Sequence, residues 1–74
     1  MNSEILESLV RDKIHFGKYK GRTLCDLPIS YLEWFAKKGF PNGKLGMQLA
    51  TLYEIRLNGL DDIITQTKRL KHKP

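Results

Sequence analysis

Five consecutive residues, Lys18, Tyr19, Lys20, Gly21 and Arg22, place three cations around one aromatic ring and one glycine, with no acid before Asp26. Residues of these types in so short a span suit phosphate recognition. Lysine and arginine release counterions from a polyanion, N–H groups near Gly21 add donors, and the Tyr19 ring can stack on an unpaired base. The same five residues also fit a plainer reading. In that one the tip is solvated, Tyr19 lies over the turn, and the cations only keep a small protein soluble.

Other chemistries lack their parts. His15 and His72 are far apart in the chain, and neither has a carboxylate or thiol at a spacing that makes a site. Asp61 and Asp62 are adjacent, so on a helix they point about 100° apart and cannot share a metal face; complementing a helix dipole explains them better. Cys25 is the single cysteine, which excludes an intrachain disulfide or a cysteine zinc site, and an ionised Asp26 beside it would raise the thiol pKa. It reads as a small buried filler. Gly17 to Gly21 is no nucleotide-hydrolase loop, because that motif ends in Gly-Lys-Ser/Thr and leads into a helix. No catalytic activity, metal or cofactor is expected.

The elements that must position the basic span follow from periodicity. Ile5, Leu6, Leu9 and Val10 share a helical face, Asn2 or Ser3 can cap it, and a first helix is expected from Ser3 to Asp12. KIHF and RTLCDL alternate like two short strands, joined by a type I turn over Lys18 to Lys20 that Gly21 completes as a bulge. Gly21 is then the least replaceable residue of the tip, and Gly17 marks a kink or a close backbone approach. In ISYLEWFAKKGF, Ser30 and Glu33 have capping-box spacing and Ile29 and Trp34 staple spacing, so a helix should start at Ser30 and stop at Gly39. Tyr31, Trp34 and Phe35 are assigned to its core face.

Asn42 or Gly43 should cap a third helix carrying Leu45, Leu49, Leu52 and Ile55 and ending at Asn58-Gly59. A fourth helix follows, with Leu60, Ile63, Ile64 and Leu70 on one face, fraying into a mobile basic tail over about 68–74. The fold class expected is α+β: an N-terminal helix, one β-hairpin and three short helices around one core. At 74 residues, 41% hydrophobic and 28% charged, the chain predicts a single small globular domain. Its net charge of +5 favours acidic partners. Lys37, Lys38 and Lys44, and then Lys68, Arg69, Lys71 and Lys73, form further basic groups that could converge with the tip.

FGKYKGRTLCDLP followed by YLEWFAKKGFPNGKLGMQLATLYEIRLNGL resembles a family of short bacterial proteins labelled putative quorum-sensing-regulated virulence factors. Its hallmark is Phe-Gly-Lys-Tyr-Lys-Gly, then Leu-x-Asp-Leu-Pro, then Tyr-Leu-x-Trp-Phe, and the match runs from about Ile14 to Leu60. A similar pattern occurs in the C-terminal appendage of exodeoxyribonuclease X-like proteins, which implies help in holding nucleic acid, DNA ahead of RNA, without catalysis. His15 stands where relatives often carry proline. Asp26, just before a helix, is expected to accept N–H bonds of the turn.

Two functions remain in play. One is a nucleic-acid-binding accessory module using Lys18, Tyr19, Lys20, Gly21 and Arg22. The other is a protein-interaction or regulatory module, linked to virulence regulation and homodimeric through an apolar face that so small a core leaves uncovered. No apolar run is long enough to span a bilayer and the start is acidic and amphipathic, so no membrane partner and a cytoplasmic location are expected.

Overall fold

In the computed structural model, which describes residues 3–71, the apolar stripe of the first segment forms helix α1, Ser3–Arg11. It is followed by a loop, a 3-10 turn at Leu24–Asp26, and helices α2 (Ile29–Lys38), α3 (Lys44–Leu57) and α4 (Asp61–Lys71). Asn2, the side chain of Ser3 and the tail residues His72 to Pro74 lie outside the described residues. Helix α4 packs on α1, α2 packs on α3, and the 3-10 turn touches both α1 and α3. Leu9, Ile14, Leu24, Leu27, Leu32, Leu49, Leu52 and Ile55 are fully buried between them.

The β-hairpin does not form, and the fold is all-helical rather than α+β. Among the described residues, the β-type pairing is one isolated antiparallel bridge, Lys13 to Thr23. The chain does reverse: Ile14 donates its N–H to the Arg22 carbonyl (3.0 Å), and Gly21 donates to the Ile14 carbonyl (2.8 Å). It stops short of a ladder because burial demands something else. Leu24, Cys25 and Leu27 are all buried, a spacing that a strand, with alternate residues on opposite faces, cannot satisfy. A 3-10 turn superposes residues three apart and so points Leu24 and Leu27 the same way. On the other arm His15 and Phe16 are both exposed, and among the described residues no further strand is present to support an otherwise marginal hairpin.

Other boundaries move by small amounts for identifiable reasons. Helix α2 begins at Ile29, not Ser30. Pro28 occupies the cap position in extended geometry, and its carbonyl accepts from Tyr31 and Leu32. No side chain caps this end, so the Ser30–Glu33 capping box is not made. Helix α4 continues to Lys71, so the basic residues 68–71 are helical rather than tail. Its inward residues are Ile64 and Thr67, whose hydroxyl donates to the Ile63 carbonyl at 2.7 Å, whereas Leu60 and Leu70 are exposed.

A buried polar set ties α3 to α1. The Gln48 amide donates to Ser8 Oγ and to Asp12 Oδ2, both at 2.9 Å, and Ser8 donates to the Ile5 carbonyl. Asp12 also accepts from Arg11 at 2.8 Å. Its pKa is held below the ordinary 3.8, first by the Arg11 hydrogen bond, with Gln48 and the charges of Arg11 and Lys44 assisting against partial burial.

Glycines report where the backbone runs close. A side-chain carbon at Gly46, buried in the first turn of α3, would collide with the Pro41 carbonyl. At Gly17, with φ of +78°, it would meet the Tyr31 hydroxyl at 2.7 Å, whereas Gly21, at +89°, has open space around it. Gly17, not Gly21, is therefore the harder glycine of the tip to replace.

Alanine substitution should rank accordingly in urea denaturation. Gly46→Ala is expected to cost about 3 kcal/mol, Gly17→Ala about 2 and Gly21→Ala about 1 kcal/mol. A chain of this length has a stability of roughly 4 to 11 kcal/mol, so the first is a large fraction of the whole. A Gly21 variant less stable than the Gly17 variant would refute the close approach. Because the folded pKa of Asp12 is depressed, its stabilisation is complete above the ordinary carboxylate range and is lost as pH falls through the lower folded value. Thermal melts between about pH 5 and pH 2 should therefore show the parent losing more stability than Asp12→Asn.

Candidate functional site

The loop before the 3-10 turn lies against the outer face of α2. Gly17 makes that possible, since without a side chain its backbone can sit on the Tyr31 hydroxyl. The two segments enclose an open, mainly apolar cleft of about 520 Å³, lined from the loop by Phe16 and Tyr19 and from the helix by Tyr31, Trp34 and Phe35. Phe-Gly-Lys-Tyr and Tyr-Leu-x-Trp-Phe, separated in the chain, thus face each other across one opening.

Helical geometry decides which aromatics reach the core. Leu32 and Phe35, three apart, are buried, whereas Trp34 lies about 100° round the helix from Phe35 and about 160° from Leu32. Trp34 is consequently 52% exposed, against the expectation that it belongs to the core face. Its ring is parallel to Tyr31 within 7° at 6.5 Å and edge-on to Phe35 at 5.1 Å. Tyr31 in turn meets Tyr19 edge-on at 4.9 Å and Phe35 at 5.0 Å. Phe16, on the opposite lip, is also exposed.

Two of the three cations gather on one ring. Lys18 Nζ lies 5.5 Å and the Arg22 guanidinium 5.0 Å from the Tyr19 centroid, contacts that contribute about 0.5–1 kcal/mol each at exposed sites. Tyr19 is half-buried and already faces cations, so it orders the charges and is poorly placed to stack on a base itself. The exposed ring surface belongs to Trp34 and Phe16 instead.

Three carboxylates are engaged elsewhere. Asp12 pairs with Arg11 (2.8 Å) and Lys44 (3.9 Å), Asp61 with Arg56 (3.3 Å), and Asp26 with Lys68 (3.6 Å). Asp26 therefore pairs with Lys68 of α4 rather than with the N–H groups of the turn. Among the described residues, no carboxylate pairs with Lys18, Lys20 or Arg22. Lys73 lies outside the described residues.

The remaining candidate groups stay apart. Cys25 is buried; burial chiefly, and then the Asp26 charge, push its thiol pKa up, so it stays protonated and unreactive. His15 is exposed on the loop. Among the described residues no three His, Cys, Asp or Glu side chains gather to hold a metal ion, and no helix is long and apolar enough to cross a membrane.

Arg56 of α3 holds the segment just before α2. Its guanidinium donates to the Leu27 carbonyl at 2.9 Å and to the Cys25 carbonyl, and it pairs with Asp61 at the start of α4. Periodicity gives no sign of this contact, because Arg56 reads as an ordinary basic residue in the last turn of a helix. The cleft residues Phe16, Tyr31 and Trp34 had a better signal: they sit in the motifs that flank the basic span.

Comparison with known proteins bears on the whole of this architecture. No solved structure matches the chain. Two curated relatives, both named "Uncharacterized protein YpeB", from Escherichia coli strain K12 and Escherichia coli O157:H7, are each 44% identical over 70 residues, covering 93% of this chain and 97% of the relative. The family model described as "Putative quorum-sensing-regulated virulence factor" matches residues 2–67, which takes in α1, the cleft, the 3-10 turn and most of α4. With both motifs facing one cleft and a match of this extent, the chain belongs to that family of putative quorum-sensing-regulated virulence factors.

Proposed function

We propose that this chain is a non-catalytic accessory module that binds nucleic acid through Lys18, Lys20 and Arg22. The observation that carries this reading is the gathering of unpaired cations on one short loop. Among the described residues Lys18, Lys20 and Arg22 have no carboxylate, as is also true of Lys13, Lys37, Lys38 and Arg69, but the three lie close in the chain and two of them are drawn together over Tyr19. Uncompensated cations on one short loop meet a polyanion together, and the counterions released give affinity that is weak and strongly salt-dependent.

Fluorescence anisotropy with labelled DNA across a salt series tests this. With three phosphate contacts, log affinity should fall against log salt with a slope of about −2 to −3. The triple variant Lys18→Ala, Lys20→Ala, Arg22→Ala should lose most of both the binding and the slope. Absent binding at low salt, or binding unchanged in that variant, rejects the reading.

A second reading rests on a different surface. Leu57 and Leu60, at the α3–α4 joint, are 62% and 44% exposed, an apolar area that self-association would cover. Sedimentation velocity at several concentrations should then show a dimer that Leu57→Lys disrupts, and a strict monomer removes this reading.

A further inference from the structure

We infer that the aromatic cleft between the loop and α2 receives an unpaired base, so that the module takes single-stranded DNA in preference to duplex. The inference rests on the phosphate-binding reading above and adds to it the part of the strand that the cations do not touch. An exposed indole is costly to leave in water, and Trp34 is exposed although its neighbours Leu32 and Phe35 are buried. The Trp34 and Tyr31 planes share one orientation within 7°, so a flat ligand aligned with one is aligned with both. Phe16 closes the other side, and the cleft's volume of about 520 Å³ lies in the range of small-ligand sites.

Charge identifies the occupant. Lys18 lines the cleft, Arg22 lies beside it over Tyr19, and none of the lining residues is an acid. A base in the cleft would leave its flanking phosphates near these cations, and base stacking on aromatics is tolerant of sequence. A proline-rich peptide would also fit an aromatic groove, but it would leave the uncompensated cations without a counterpart. Bases in a duplex are stacked on each other and offer no free face to Trp34. The apolar lining rewards the methyl group of thymine, which makes DNA the better fit than a uracil-containing strand.

Trp34 is the single tryptophan of the chain, so its intrinsic fluorescence reports the site directly. Titration at low salt should show oligo-dT quenching this emission, with duplex DNA binding more weakly and quenching little. By anisotropy, Trp34→Ala should weaken oligo-dT binding about tenfold while leaving duplex binding unchanged, a stacking contribution typical of one base. Trp34→Phe should retain most of the affinity and, because it keeps a ring against Tyr31 and Phe35, should melt close to the parent. Oligo-dT should bind more tightly than oligo-U.

The two proposals fail differently. Oligo-dT and duplex binding equally, with no quenching and no effect of Trp34→Ala, overturns the base cleft. The phosphate reading would still stand if the triple alanine variant lost binding to both. Tighter binding of oligo-U than oligo-dT overturns the assignment to DNA. Quenching by a proline-rich peptide, with none by oligo-dT, overturns the cleft as a nucleic-acid site in favour of a peptide groove.

Discussion

The guanidinium of Arg56 ties the segment between α1 and α2 to the helices behind it. That segment makes one β-bridge, one 3-10 turn and several local backbone bonds, but the carbonyls of Cys25 and Leu27 take none of these and must find donors elsewhere. Arg56 supplies them for Cys25 and Leu27 from a neighbouring helix, and its pair with Asp61 anchors the same group to α4. Charged hydrogen bonds of this kind contribute about 1.5–3 kcal/mol each, and a carbonyl left without its donor would carry a comparable penalty. The loop that carries the cations is thereby fixed at its root by α3, while its tip remains exposed.

The opposite end of that loop is held from Asp12. Its carbonyl accepts from Leu24, and its carboxylate takes the Gln48 amide and the Arg11 guanidinium. Two polar anchors, one at each end of the 12–27 segment, do for this loop what a sheet would do for a hairpin. They also engage acids. Asp12, Asp26 and Asp61 are paired with Lys44 of α3, Lys68 of α4 and Arg56 of α3, and none of the three pairs with a cation of the tip.

Cleft and tip share a cause in Gly17. Its close approach to Tyr31 brings the basic span beside the aromatic face of α2, so the loop cations and the exposed aromatic rings become neighbours. A larger residue there would separate the two halves of the site.

Much of the helical part was legible in the residues alone. The apolar period places α1 and α3 within a residue or two, since a face that must be buried repeats every three or four positions whatever it packs against. The basic span was equally plain, because charge and glycine are local properties. What the residues left open was where each apolar group would find cover. RTLCDL alternates like a strand but becomes a 3-10 turn because Leu24, Cys25 and Leu27 all have core on one side. Trp34 shares its helix with core residues yet points away from them. Gln48 and Arg56, polar on paper, are held inward by partners more than twenty-five positions away. Period and charge are written along the chain, and so the sequence determined the helices and the cations; burial and hydrogen-bond partners exist only between segments, and so the tertiary structure alone decided the loop, the cleft and which charges remain free.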